Sequence, residues 1–350
     1  MKKLISLLLV LAVLFSLSAC GRQDIPLETI PETSSAAALE PTASADHYPV
    51  TVTDQAGRQV VIEKEPRTLI SSYYITTSLI MALDLDDRLV GVEDNAGLRP
   101  VYGLSNPRIL ELPSIGTAKE LDLEACAVLA PDLAVLPLKV KNAVPSLEAL
   151  GIPVLLVNPE SQELLTEMIR LVAAATNTEE KAEELLGFIK TQESSLTEVL
   201  SGVEKPDVYL AGNSSFLSTA GNAMYQSDMI RLAGGRNVAE EIQDTYWAQI
   251  DYEQLLAWDP DYIILPSSAK YTAADVMGDA NLAGCRAVVD GNVYQVPGDA
   301  EAWDSPVPGS ILGALWLANI LHPDRMTDAA CADIMDEYYE TFYHFTYREI

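Results

Sequence analysis

Residues 121–136 read LDLEACAVLAPDLAVL, and residues 250–265 read IDYEQLLAWDPDYIIL. Aligned without gaps, the two stretches share Asp122/Asp251, Glu124/Glu253, Pro131/Pro260 and Asp132/Asp261. In each, an Asp stands where an N-cap would, a short helix-like run follows, a Pro-Asp turn ends it, and an apolar run of strand length comes next. The simple reading is one structural unit used twice, once in each of two lobes. Independent use of a common helix–strand connection is the alternative, and the matched Glu counts against it.

The same texture extends outward. Val50-Thr51-Val52-Thr53, the turn residues 54–58 and Gln59-Val60-Val61-Ile62 read as a hairpin. Thr68-Leu69-Ile70-Ser71, Arg88-Leu89-Val90-Gly91-Val92, Leu133-Ala134-Val135-Leu136 and Val154-Leu155-Leu156-Val157 read as buried strands, with a helix over Thr76 to Leu83 behind the first. Strands alternating with helices predict a largely parallel sheet covered on both faces. Residues 161–176 then form a helix-like run, and Asn177-Thr178-Glu179-Glu180 resembles a capping box opening another. That second helix runs to about Leu200 and spans on the order of 35 Å at about 1.5 Å per residue. Gly202 and Pro206 end it, Asp207 to Ala211 starts a new strand, and the alternation resumes to the C-terminus. The expected fold class is α/β, with two Rossmann-like lobes joined by a single long α-helix. The boundaries fall at 48–158 for the N-terminal lobe, 159–202 for the linking helices and 203–350 for the C-terminal lobe.

The chain has 350 residues, and 22 Lys plus Arg against 51 Asp plus Glu give a formal net charge of −29 at pH 7. A nucleic-acid binder needs cations for phosphates, so that class is excluded, as is a basic membrane-surface helix. With 49% hydrophobic residues the chain buries a sizeable core despite its charge. Lys2 and Lys3 precede an apolar run from Leu4 to Leu17, too short for the roughly 20 residues of a membrane helix. Residues 1–19 therefore read as a signal peptide. The ending Leu17-Ser18-Ala19-Cys20-Gly21 resembles a bacterial lipobox, which implies cleavage before Cys20 and lipidation of that Cys, palmitate included. Residues 20–47 form the lipidated Cys and a Ser/Thr/Ala/Pro-rich tether.

Chemistry-bearing motifs are sparse. Cys126, Cys285 and Cys331 lack C-x-x-C spacing and read as buried small hydrophobes, with one disulfide as the alternative. His47, His322 and His344 are scattered, so no His/Cys metal cluster and no resident cofactor is expected. Gly234-Gly235 serves as a helix stop. With no phosphate loop, no nucleophile elbow and few general bases, the chain reads as a non-enzyme.

Taken in order, several motifs resemble the substrate-binding lipoproteins of ABC importers, in particular the iron-siderophore and cobalamin (Fe/B12) group. They are Val52-Thr53-Asp54 through Arg58, Asp86 to Val92, Gly116 through Glu124, Leu129-Ala130-Pro131-Asp132 and Gly151-Ile152-Pro153-Val154. In the second half they are Leu232 to Asn237, Trp247 through Glu253, Pro260-Asp261, Asp290 to Tyr294 and Leu317 to Pro323. Ser78 and Asp84 depart from that pattern, where the family often has Glu and Gly. The ending Trp303-Asp304-Ser305-Pro306 with Leu312 to Ala318 resembles a subgroup for metal chelates and oxyanions.

The resemblance implies a lipoprotein held outside the cell membrane that captures an iron(III)-siderophore-type chelate in a cleft between lobes. It would deliver the chelate to a permease and, through it, an ATPase. Cobalamin, haem and molybdate or tungstate are alternative ligands, and a surface sensor or adhesion lipoprotein is the alternative of another class. Glu124 and Glu253 would meet permease arginines, while as local features they favour the helix dipole. Trp247 and Trp303 are candidate cleft aromatics, with a core position as the alternative for Trp247. Parallel sheets bind ligands beyond the C-terminal strand ends, which points to Tyr73, Tyr74, Asn95, Lys119 and Lys139 in the first lobe and Asn213, Ser267 and Lys270 in the second.

Overall fold

A computed structural model describes residues 47–243 and 247–350. The leader, Cys20 and the tether to residue 46 lie outside the described residues. The strands are β1 (Val50–Thr53), β2 (Gln59–Ile62), β3 (Leu69–Ser71), β4 (Leu89–Gly91), β5 (Leu133–Pro137) and β6 (Val154–Val157) in the first half. In the second half they are β7 (Asp207–Leu210), β8 (Ser218–Ala220), β9 (Arg236–Asn237), β10 (Trp247–Gln249), β11 (Tyr262–Leu265) and β12 (Val293–Gln295). β1 and β2 form the expected antiparallel hairpin, whose turn is organised by the buried Asp54 carboxylate accepting from the N–H of Ala56 and Arg58.

Each lobe holds a four-stranded parallel sheet. The orders are β4-β3-β5-β6 and β9-β7-β11-β12, so the two sheets have the same topology strand for strand. The repeated motif occupies the same place in both. Asp122 and Asp251 cap seven-residue helices, Leu123–Leu129 and Tyr252–Trp258, by accepting from Ala125 N and Gln254 N. Both helices end on a left-handed residue, Ala130 at φ 43° and Asp259 at φ 44°. The turn carboxylates then tie the following strand to its neighbour. Asp132 accepts from the N–H of Arg67 and Thr68 just before β3, and Asp261 accepts from Asp207 N at the start of β7.

Side chains alternate between two destinations. Ile70, Ala134 and Leu136 face a cluster private to the first lobe, and Tyr209, Ile263 and Leu265 one private to the second. The opposite faces, with Leu69, Leu133, Val208 and Ile264, join one continuous core shared by both lobes. Helices Gln162–Thr176 and Glu179–Val199 connect the lobes and bury their apolar stripes in that core. Thr178 is the N-cap of the second, but its hydroxyl pairs with Thr176 Oγ1 at 2.9 Å and makes no capping bond, so the expected capping box is absent. Gly234, at φ 78°, follows helix Tyr225–Leu232 and lets Gly235 N return to Ile230 O, as its reading as a stop required.

The last long helix, Asp328–Tyr343, crosses back to the first lobe. Tyr343 Oη donates to Ser78 O at 3.1 Å, and His344 Nε2 lies 3.0 Å from Asp84 Oδ1. Its Tyr338, Tyr339 and Tyr343 are fully buried. Cys126, Cys285 and Cys331 are buried and unpaired.

Candidate functional site

The C-terminal ends of both sheets open towards the junction of the lobes. Beyond β3 the chain turns into helix Tyr74–Ala82, which begins immediately after Tyr73. The two tyrosine rings meet edge to face at 5.4 Å. Tyr73 borders a crevice with Lys139 and Glu160, whose charged groups lie 3.7 Å apart. Tyr74 faces the other way, into a cavity of about 160 Å³ bounded by Ser78 and Arg99 from the first lobe and Ser267, Ser268, Gly298 and Glu301 from the second. Main-chain bonds tie the second lobe to the first and to the start of the linking segment beside these openings. Val101 N donates to Ala300 O at 3.1 Å, and Tyr225 N to Glu160 O at 3.0 Å.

Arg99 is the decisive side chain. Its guanidinium carbon sits 3.9 Å from the centroid of the Tyr74 ring, a cation–π stack. Among the described residues, every other arginine lies within ion-pair distance of an Asp or Glu, and Arg99 does not. In so acidic a chain, a half-buried guanidinium with its donor fork uncommitted is a ready receptor for an anion.

Two buried carboxyls lie nearby. Glu301 is 5% exposed, and burial pushes its pKa up to about 7, against hydrogen bonds from Tyr343, Ser78 and Tyr339. Asp304 is raised by burial, although it accepts from Ser267 Oγ at 2.7 Å and from Ser267 N. Burial likewise raises Tyr73 and Tyr74, which stay neutral donors.

Of the residues expected from the strand-end rule, Tyr74 and Ser267 border this cavity, and Tyr73 and Lys139 the adjoining crevice. Asn95 is exposed in the left-handed conformation and starts the turn that leads to Arg99. Lys119 is exposed in a turn stapled by Thr117. Asn213 and Lys270 lie together, Lys270 N donating to Asn213 O at 3.0 Å, but both are exposed and border neither opening. Trp247 is half-buried, pairs with Ala220 across β10 and β8, and leans on the shared core. Trp303 is not a cleft aromatic. It is 1% exposed, its indole N–H donates to Tyr339 Oη at 2.8 Å, and its ring packs on Tyr347.

Sequence reasoning missed Arg99, Ser78, Asp304 and Glu301. The scarcity of Lys and Arg in so acidic a chain is the signal that could have found Arg99, and Ser78 had stood out as a departure from the family pattern. Glu124 and Glu253 are exposed in the first turns of the two matched helices, one on each lobe. Among the described residues no group of His, Cys, Asp and Glu is arranged to hold a metal ion.

A family model described as periplasmic binding protein matches residues 69–300, well over half of the chain. The molybdate-binding protein MolA of Haemophilus influenzae is 25% identical over 328 residues, covering 85% of this chain and 92% of its own. The structure of MolA bound to molybdate superposes with a TM-score of 0.76 at 24% identity, over 85% of this chain and 99% of that one. YvrC of Bacillus subtilis, an uncharacterised ABC transporter substrate-binding lipoprotein, is 25% identical over 80% of this chain and 88% of its own. The structure of Helicobacter pylori CeuE in complex with nickel and histidine gives a TM-score of 0.73 at 21% identity, over 86% of this chain and 97% of that one, a likeness of fold.

Proposed function

Because the chain belongs to the periplasmic binding protein family, whose relatives here are solute-binding proteins of ABC importers and not enzymes, we propose that it captures a small anionic solute between its lobes and hands it to a permease–ATPase complex. The observation that carries the ligand reading is Arg99, uncommitted to any acid among the described residues and stacked on Tyr74 at the edge of a 160 Å³ cavity. That volume is below the roughly 300–1,000 Å³ of a drug-sized ligand site. It favours a tetrahedral oxyanion of the molybdate or tungstate class over an iron(III)-siderophore-type chelate, cobalamin or haem. MolA, named for molybdate and similar over most of both chains, supports the same choice. The oxyanion would take the fork of Arg99 and the Tyr74 ring edge from one lobe and the hydroxyl of Ser268 from the other, the Ser267 hydroxyl being committed to Asp304.

Glu124 and Glu253 are the proposed permease contacts, two exposed carboxylates at equivalent points of the repeat that set register and encounter rate. Cys20 is the proposed lipidation site, tethering the protein to the outer face of the membrane, and YvrC is itself a lipoprotein. Cys20→Ser should abolish incorporation of labelled palmitate and release the protein from membranes; retained label would refute the anchor.

Calorimetric titration with molybdate, tungstate, sulfate and ferric siderophores tests the ligand. Binding of molybdate or tungstate in the micromolar range or tighter, about −8 kcal/mol, is expected. Binding of a ferric chelate alone would replace the oxyanion reading.

A further inference from the structure

Glu93 makes none of the proposed ligand contacts, yet it is 6% exposed and lies just past the end of β4. Its carboxylate accepts from Thr77 Oγ1 at 2.7 Å and from Tyr102 Oη at 2.6 Å. Thr77 belongs to the helix that opens with Tyr74. Tyr102 belongs to the short helix Pro100–Ser105, whose N-cap is Arg99. Tyr102 Oη also lies 3.5 Å from Tyr74 O. One buried carboxyl therefore joins the two elements that present the two halves of the Arg99–Tyr74 stack.

A six-residue helix does not hold its own position in water. Burying a carboxyl against two neutral donors is costly, and an apolar side chain would fill the same space more stably. Burial raises the pKa of Glu93, and Arg99 lies close enough to oppose that rise. We propose that Glu93 is the positioning residue of the cleft: through Thr77 and Tyr102 it holds Arg99 against Tyr74, and so sets the affinity for the anion that Arg99 receives. This rests on the reading of Arg99 as the anion receptor.

The test is a double-mutant cycle. Glu93→Gln and Tyr102→Phe are each made in the wild-type protein and in an Arg99→Lys background, and molybdate affinity is measured by calorimetry well below each variant's melting temperature. Each change should weaken binding about tenfold in the wild-type background but less than about twofold in Arg99→Lys, where the stack it serves is already gone. Equal losses in both backgrounds, or none in either, would overturn the proposal.

A ligand-free readout separates this idea from the choice of ligand. The ¹⁵N NMR signal of the Arg99 side-chain Nε–H, assigned by its loss in Arg99→Lys, should report an ordered group in the wild type and a mobile one in Glu93→Gln and Tyr102→Phe. If molybdate binds no form of the protein but this signal responds, the oxyanion reading falls and the positioning role stands. If the signal is unchanged, the positioning role falls whatever the ligand.

Discussion

Replacing Arg99 by Gln should destroy oxyanion binding while leaving the fold nearly untouched. A unit charge pair at about 4 Å is worth roughly 4 kcal/mol at an effective dielectric of about 20, and the half-exposed guanidinium keeps only part of that. Truncating one partner of a hydrogen-bonded charge pair typically costs 2–5 kcal/mol, so a loss of about 2–4 kcal/mol is expected, on the order of 30- to 1,000-fold in Kd. The stability effect should be small, because among the described residues Arg99 has no ion-paired acid to strand. Only the stack on Tyr74 is lost, about 0.5–1 kcal/mol, or roughly 1–2 °C in Tm for a chain of this size. Calorimetry for Kd and differential scanning for Tm measure the two separately. Arg99→Lys should fall between wild type and Gln, since an ammonium keeps the charge but lacks the planar fork. Arg231→Gln, at an arginine already paired with Asp228, is the control and should leave Kd alone. A loss below about threefold for Arg99→Gln, well under 1 kcal/mol, would remove Arg99 as the anion receptor.

Other consequences follow for stability, transport and the core. Glu301 has its pKa raised to about 7 in the folded protein from an ordinary 4.5. Its contribution is therefore fully present below pH 4.5 and is lost as pH rises through about 7, on the order of 3 kcal/mol across that window. Denaturant unfolding at pH 5 and pH 8 should show that loss in the wild type and a flatter profile in Glu301→Gln; parallel profiles would refute the assignment. Charge reversal at both Glu124 and Glu253 should abolish uptake in cells without changing Kd, and normal uptake would remove them as permease contacts. Trp303→Ala should cost about 3–5 kcal/mol of stability, whereas a loss of affinity with an unchanged Tm would restore Trp303 as a ligand contact.

The doubled Pro-Asp motif made the fold legible because its parts are local: cap, short helix, turn and strand lie within 16 residues of each other, and the same bonds recur in both lobes. The strand-end rule reached Tyr73, Tyr74, Lys139 and Ser267 because strand ends can be read from the apolar runs. It missed Arg99 because the rule does not say how far a loop travels before it returns. Arg99 comes back to Tyr74 by way of Glu93 and Tyr102, a buried network between three elements that no local pattern encodes. Trp303 was misjudged for a similar reason. Its Gly/Pro/Asp-rich surroundings look like a surface loop, and the aromatic partners that bury it, Tyr339 and Tyr347, come from the far end of the chain. The polar residues Asn95, Lys119, Asn213 and Lys270 satisfied the rule by position alone and border neither opening, whereas Lys139, equally exposed, borders the crevice beside Tyr73.

How the lobes respond to a ligand follows from what already joins them. Their inner sheet faces, the connecting helices and the returning C-terminal helix share one core, so wide separation would expose apolar surface at roughly 25 cal/mol per Å². The motion left available is local, at the cleft, where Val101–Ala300 bridges the lobes and Tyr225–Glu160 ties the second lobe to the linking segment. Each such bond is worth only about 0.5–1.5 kcal/mol net, so arrangements with these bonds made and broken differ by a few kcal/mol at most. A ligand shifts such a balance only through contacts that differ between the two arrangements. An anion touching Arg99 alone would bind equally well to both and shift nothing. One that also reaches Ser268 gains its second set of contacts only when the bridges are formed. If a permease reads the spacing of Glu124 and Glu253, as proposed, a ligand that both lobes touch at once would set that spacing, and a 160 Å³ cavity suits a small one.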